Sequence, residues 1–193
     1  MTVAGLLLAA GAGRRYGMPK ALARDGGRLF VERGVQTLYE GGCDPVVVVL
    51  GAAADRVRAE ASLGDAILVE NPEWRGGMGS SLGRGLRATE ELGVESALVL
   101  LVDLLGVTPE AVRRIAALAS PDALVMAGYG PRRGHPVLLG REHWAGVAAT
   151  ATGDIGARPY LATHASAVRV VPCEDVADDS DVDTPEEHNR SHA

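Results

Sequence analysis

The sequence predicts an α/β three-layer sandwich built on a mostly parallel, Rossmann-like sheet. Short apolar, β-branched runs recur along the chain with segments of helical periodicity between them, the alternation expected of strand–helix–strand units. Several of those runs, Val46-Val47-Val48-Val49 above all, are apolar at every position. Such runs fit strands buried on both faces, as in a parallel sheet covered by helices. A hydrophobic content of 47% with 23% charged residues is that of a chain that folds around a core.

The elements follow in order. Residues 3–9, without a charge, read as the first strand, and a glycine-rich loop follows directly. Helical periodicity covers 30–40, a strand 45–50, a helix 54–61, a strand 66–69 and a helix 80–92. Residues 97–102 form the next strand. Thr108 and Pro109 then have the residue types of a helix cap and a first helical position, starting a helix over 109–118. A strand at 123–126, helices at 141–149 and 154–163, and a strand at 167–171 complete the pattern. Residues 175–183 are acidic. After them Thr184, Pro185 and Glu187 read as cap, first helical residue and capping-box partner of a short helix. The organisation is one domain over 1–188 with a tail at 189–193.

Composition narrows the function. A net charge of −6 argues against a broad nucleic-acid surface. No apolar run approaches the roughly 20 residues that span a bilayer, and the first 13 residues do not form a signal peptide, so the expectation is a cytoplasmic protein without membrane contact. Cys43 and Cys173 make no metal spacing and read as two reduced thiols. Of 19 basic residues only Lys20 is lysine. A compact ammonium kept alone among arginines, inside a glycine-rich loop, points to a point-charge role on a phosphate.

That loop runs Leu8-Ala9-Ala10-Gly11-Ala12-Gly13-Arg14-Arg15-Tyr16-Gly17-Met18-Pro19-Lys20. Glycines let backbone N–H groups approach phosphate oxygens. A Walker-type loop needs Ser or Thr after the lysine, and Ala21 stands there. A dinucleotide fingerprint fits Gly11, Gly13 and Gly17 loosely, but Pro19 interrupts the helix that should follow. The second strand also ends in Leu50-Gly51-Ala52 rather than in an acidic ribose ligand. A purely structural turn leaves Arg14, Arg15 and Lys20 unexplained.

Downstream, Asp103 ends a strand, where a carboxylate serves either as a turn former or as a hard oxygen ligand for Mg²⁺. Asp183 precedes the last short helix, as a metal ligand or as part of a solvated acidic tail. Asn71, Gly79, Ser80 and Ser81 lie between the third strand and a helix, an arrangement that suits a plain helix cap or carbonyl and phosphate recognition. Trp74 is available to stack on a ring or to pack. His135 and Asp154 read from type alone as a structural histidine and a helix cap. Arg132 and Arg133 fit an anion-attracting site and a solvated turn equally.

Taken together these segments resemble a known family. Leu-Ala-Ala-Gly-x-Gly-x-Arg-x-Gly-x-Pro-Lys-x-Leu is similar to the opening signature of NTP transferases, closest to the molybdenum cofactor cytidylyltransferase branch of the MobA-like group. Asp181-Val182-Asp183-Thr184-Pro185-Glu186 and Gly134-His135-Pro136-Val137 resemble later motifs of that family, and Gly153-Asp154-Ile155-Gly156-Ala157-Arg158 another. The resemblance spans Leu8 to Glu187. It implies a fold of the nucleotide-diphospho-sugar transferase type. It also implies a loop over Ala9, Ala10, Gly11, Gly13, Arg14 and Lys20 that wraps the triphosphate, with Lys20, Arg14 and Asp103 catalytic and Asp103 and Asp183 holding Mg²⁺. Asn71, Gly79, Ser80 and Ser81 would read the base, and His135 and Asp154 would stand on the acceptor side. The implied reaction transfers a nucleoside monophosphate, CMP from CTP by the Ala-Ala-Gly opening and the Pro-Lys pair, to a molybdopterin-type phosphate. Transient contact with a molybdoenzyme or its chaperone would follow. A guanylyltransferase, a transferase acting on a sugar phosphate, and a non-catalytic cofactor carrier are the alternatives. Leu104-Leu105 departs from the family's usual Gln-Pro after the first aspartate, which bears on the acceptor more than on the metal.

Overall fold

A computed structural model describes residues 2–185. Its strands are β1 (Val3–Ala9), β2 (Arg24–Asp25), β3 (Arg28–Leu29), β4 (Val46–Leu50), β5 (Ile67–Glu70), β6 (Ser96–Leu101), β7 (Leu124–Tyr129), β8 (Arg132–Gly140) and β9 (Arg169–Pro172). The helices are α1 (Phe30–Glu40), α2 (Ala54–Glu60), α3 (Met78–Glu90), α4 (Pro109–Ala116), α5 (Arg141–Thr150) and α6 (Arg158–Thr163). β2 and β3 make a small antiparallel hairpin. The other seven strands form one sheet in the order β5-β4-β1-β6-β8-β7-β9. Neighbours are parallel except at β8, which runs against both β6 and β7. The predicted class, mostly parallel α/β, is the one found.

The three layers follow from side-chain alternation. Every residue of β1 and of β4 is buried. Leu7, Val48, Leu98 and Leu100 face one side, with Val31, Val35 and Leu38 of α1 and Val112 and Ile115 of α4. Leu6, Leu8, Val47, Val49 and Val99 face the other, with Leu82 and Leu86 of α3 and Trp144 and Val147 of α5. Burying a Leu, Ile or Val side chain contributes about 1.5–3 kcal/mol. A one-residue slip of β1 would exchange the two sets, so both cores specify the register.

The parallel strands end together, which gathers their loops. The Ala52 N–H donates to the Ala10 carbonyl (3.0 Å), the Asn71 N–H to the Leu50 carbonyl (2.8 Å) and the Val102 N–H to the Leu8 carbonyl (3.2 Å). In open α/β sheets this carboxyl edge is where ligands bind.

The structure departs from the sequence reading at three places. β8 occupies Arg132–Gly140, where the sequence suggested no strand, and the β2–β3 hairpin was not foreseen. α6 starts at Arg158 rather than 154, because Gly153 and Gly156 take positive φ (53° and 58°) and hold the intervening residues in a turn. Thr108 caps α4 as expected, accepting from the Ala111 N–H at 3.3 Å. Pro185 is helical, whereas Glu187, the end of the 1–188 domain and the tail 189–193 lie outside the described residues.

Candidate active site

The loop after β1 is shaped by Gly13. Its φ is 62°, and a Cβ there would overlap the Met18 carbonyl oxygen, so only glycine lets the loop fold back on itself. The Gly17 N–H donates to the Gly13 carbonyl at 2.8 Å. Beyond Pro19 a single 3₁₀ turn, Lys20–Leu22, buries Ala21 and Leu22 against the core. That anchor fixes the Lys20 backbone and leaves its side chain to reach back toward the strand ends.

The Lys20 Nζ donates to Asp103 Oδ2 and to Asp183 Oδ1, each at 2.8 Å. Residues 83 and 163 positions apart from the lysine are thus brought to one ammonium. Asp103 follows β6 directly. Asp183 arrives on a segment tied to the loop after β6: the Val182 N–H donates to the Asp103 carbonyl (3.2 Å) and the Asp178 N–H to the Gly106 carbonyl (3.1 Å). Val182 itself turns inward, packing with Ala23 and Phe30 and against Tyr16, Val102 and Leu105. With Val182 buried, the flanking Asp181 and Asp183 both face the site.

Asp103, Asp181 and Asp183 each offer an oxygen, and these oxygens lie within 4.8 Å of one another. Asp181 is a member that the sequence reading left out, although the alternation around the apolar Val182 carried the signal. Arg15 pairs with Asp183 through its guanidinium. Arg14 and Arg15 both line the cleft, and Arg15, which stands at the arginine position of the loop signature, makes this ion pair while Arg14 does not. Burial opposes a charged Lys20, but its bonds to Asp103 and Asp183 outweigh that and raise its pKa. Burial likewise works against the Asp183 carboxylate, and the bond from Lys20 with the charges of Lys20 and Arg15 lowers its pKa overall.

Lys20, Asp103, Asp183 and Arg15 line a cleft of about 490 Å³, a size suited to a nucleotide. Ala10, Gly11, Gly13, Arg14, Lys20, Ser81, Asp103, Asp154 and Asp183 line it; Ala9, Asn71, Gly79, Ser80 and His135 do not. Asn71 is 3% exposed. Its amide donates to Ser80 Oγ (2.9 Å) and Ser81 Oγ (3.0 Å) and accepts from the Glu73 N–H (3.0 Å). It therefore braces the start of α3, where Ser81 lines the cleft. Trp74 and Arg75 were not both anticipated at the cleft: the Arg75 guanidinium lies 4.4 Å from the Trp74 ring centre.

Across the cleft, the segment before α6 docks on the α3 start. Asp154 Oδ1 accepts from the Met78 N–H (3.4 Å), and the Gly153 carbonyl from the Gly79 N–H (2.8 Å). Gly77, with φ 92°, permits the approach: a Cβ would lie 2.5 Å from the Gly153 carbonyl oxygen. His135 is partly buried in β8, and its carbonyl accepts from the Tyr129 hydroxyl (2.7 Å). Burial pushes its imidazole down to about 4, with Asp103 opposing and Arg158 adding to the shift. It is neutral near neutral pH.

Such a cleft, glycine-lined at the carboxyl ends of parallel strands and ending in hard oxygens beside an ammonium, belongs to the nucleotide-handling α/β enzymes. The chain is a member of the MobA-like NTP transferase family, matching that domain over residues 5–168. The family is one of nucleotidyltransferases, whose members bind an NTP and a phosphorylated acceptor. Asp181 and Asp183 lie beyond the matched span and reach the site only through the fold. The chain is 40% identical to the nicotine blue oxidoreductase of Paenarthrobacter nicotinovorans over 97% of its own length and 95% of that protein. It is 30% identical to a probable molybdenum cofactor guanylyltransferase of a Geobacillus species, over 66% of this chain and 65% of the other. A nucleotidyl transferase of Methanothermobacter shares the fold with a TM-score of 0.83 at 22% identity, covering 98% of this chain and 95% of that one. Among the described residues no helix is long and apolar enough to cross a membrane.

Proposed function

We propose that this protein transfers a nucleoside monophosphate, CMP from CTP in preference, to the phosphate of a molybdopterin-type acceptor and releases pyrophosphate, in the cytoplasm. The observation that carries the reading is the convergence of Lys20 with Asp103 and Asp183, and of Asp181 with both acids, beside the glycine-lined cleft. Three close carboxylate oxygens suit Mg²⁺, which favours hard oxygen donors. Asp103 and Asp183, with Asp181, would hold the ion, and its chemistry there is to neutralise charge on the α-phosphate.

The chain's own residues do the remaining work. N–H groups of Ala10, Gly11 and Gly13 face the triphosphate, and Arg14 and Lys20 balance its charge. Ser81 and Trp74 lie toward the base, and Asn71, Gly79 and Ser80 hold that wall in place. An acceptor phosphate oxygen attacks the α-phosphorus in line. The bond from that phosphorus to its bridging oxygen breaks, and pyrophosphate leaves with both electrons. The nucleophile is already anionic near neutral pH, so positioning and charge neutralisation suffice without a strong base. His135 and Asp154 stand on the acceptor side, His135 as a neutral imidazole. A transient encounter with a molybdoenzyme or its chaperone would pass the product on. Pyrophosphate release, assayed over the four NTPs with molybdopterin and sugar-phosphate acceptors, should be fastest with CTP and the molybdopterin-type acceptor. In Asp103→Ala, kcat should fall at least about 10²-fold, and wild-type turnover in that variant would refute the assignment.

A second reading rests on the relative named an oxidoreductase, which matches nearly the whole chain. Cys43 and Cys173 are buried at 1% and 0% exposure, away from the cleft lining, so neither supplies a redox group there. In this reading a reduced nicotinamide dinucleotide would lay its pyrophosphate along residues 10–20 and pass hydride to a ring acceptor. Oxidation of NADH or NADPH on addition of a two-electron dye, with no pyrophosphate formed from any NTP, would favour it.

A further inference from the structure

We propose that Lys20 holds the cation position of the site, so that a divalent ion enters only together with a triphosphate that draws the ammonium away. The inference deepens the transferase reading and rests on it for the identity of the triphosphate.

The geometry is direct. Two of the three N–H bonds of the ammonium go to Asp103 Oδ2 and Asp183 Oδ1, both at 2.8 Å. Those oxygens belong to the set of three acids whose donor atoms lie within 4.8 Å of one another. A Mg²⁺ ion would take such oxygens at about 2.0–2.1 Å. Ammonium and ion would therefore share the same partners in the same gap, with like charges in near contact. The side chains are 13% and 19% exposed, so water screens that repulsion poorly. Arg15 also pairs with Asp183, but its side chain is 75% exposed and can turn into solvent at little cost.

Lys20 can leave without moving the chain. Its backbone is set by the 3₁₀ turn and the burial of Ala21 and Leu22. The four-carbon stem carries the charge, and Gly11, Gly13 and Arg14 line the cleft beside it. Rotation would take the ammonium from the acids to an anion lying along those residues. A compact charge with three rotatable donors is suited to such an exchange, whereas a planar guanidinium with a fixed fork is not. A triphosphate thus provides Lys20 with a new partner at the step that frees the acids. Ion and nucleotide become positively coupled through one side chain.

The test uses Mn²⁺ alone, with no nucleotide, titrated into the full chain and followed by the electron-spin resonance of free ion. Lys20→Met should bind Mn²⁺ at least about tenfold more tightly than wild type, within the usual range of coupling between sites. Asp183→Asn placed in the Lys20→Met background should abolish the gain. Equal or weaker Mn²⁺ binding by Lys20→Met would overturn the proposal, since a lysine that merely props the acids apart loses binding when removed. A second measurement needs no variant. Lys20 is the only lysine in the chain, so labelling with ε-¹⁵N-lysine gives one side-chain signal. Millimolar Mg²⁺ alone should leave that signal in place, and Mg²⁺ with a non-hydrolysable CTP analogue should move it. Displacement by Mg²⁺ alone at micromolar concentration would overturn the exchange. Tighter Mn²⁺ binding in a protein that forms no pyrophosphate would instead sink the transferase reading and leave the exchange standing.

Discussion

His135 shows how one side chain links packing to pH. Its imidazole titrates near about 4 in the fold because burial disfavours the charged form, against about 6.5 in an unfolded chain. The unfolded state therefore binds the proton more tightly, and stability rises with pH across that interval. The contribution is fully present above pH about 6.5 and is lost as pH falls toward about 4. The charges felt by the ring are those of Asp103 and Arg158. The thermal midpoint of wild type should accordingly drop more steeply between these pH values than that of His135→Gln. Parallel melting curves for the two proteins would show another group to be responsible. At this scale the sequence was most informative where type and position coincided, as for the lone Lys20 and the strand-tip Asp103. It was least informative for Asn71, whose polar amide looks available to a ligand until its three internal hydrogen bonds are seen.

At the level of elements, the close docking of residues 151–154 on the start of α3 depends on glycines. Gly77 combines a φ of 92° with a Cβ position 2.5 Å from the Gly153 carbonyl oxygen, whereas Gly93, with φ 69°, has open space. Gly77→Ala should destabilise by more than Gly93→Ala, whose backbone strain alone is worth about 1–3 kcal/mol. Urea unfolding of both proteins would check the order, and equal losses would show that the docking contact gives way freely. The α6 boundary was missed for a related reason, since Asp154 turns back to the Met78 N–H instead of opening a helix of its own. β8 was missed because Gly134, His135 and Pro136 have loop chemistry, and proline cannot donate to a ladder. The strand tolerates them through a register shift against β7 between Met126 and Ala127, while pairing with β6 extends only from Val137 to Gly140. Local pattern cannot reveal a bulge that only the partner strand defines.

Across the whole molecule, two large apolar cores set the sheet and a third, small one sets the site. Val182 is 8% exposed and packs with Phe30 and Ala23, and the Phe30 ring meets Tyr16 edge to face at 5.9 Å. Leu105, which departs from the family pattern, joins this cluster. With a non-hydrolysable CTP analogue present, Val182→Ser should weaken Mn²⁺ binding several-fold because Asp181 and Asp183 lose their common anchor. The thermal midpoint should fall by only several degrees and folding should stay cooperative, since a single Val side chain is worth about 1.5–3 kcal/mol and each kcal/mol shifts a chain of this size by about 2–4 °C. Unchanged ion affinity in that variant would mean that the acids hold their places without the apolar pin. The layered class was legible from strand periodicity and Asp103 from its place at a strand end, whereas Asp183 stood out only through the resemblance of its motif to the family's. The pin was not, because it joins residues from the first loop, from either side of the hairpin, from the loop after β6 and from the final segment, which approach one another only after folding.

The distance along the chain between Lys20 and Asp183 has a temporal consequence. On a ribosome the residues of all seven sheet strands emerge before Asp181 and Asp183, since β9 ends at Pro172. A nascent chain can therefore acquire its architecture while still lacking two of the three carboxylates, and catalytic competence would follow the completed sheet rather than accompany it.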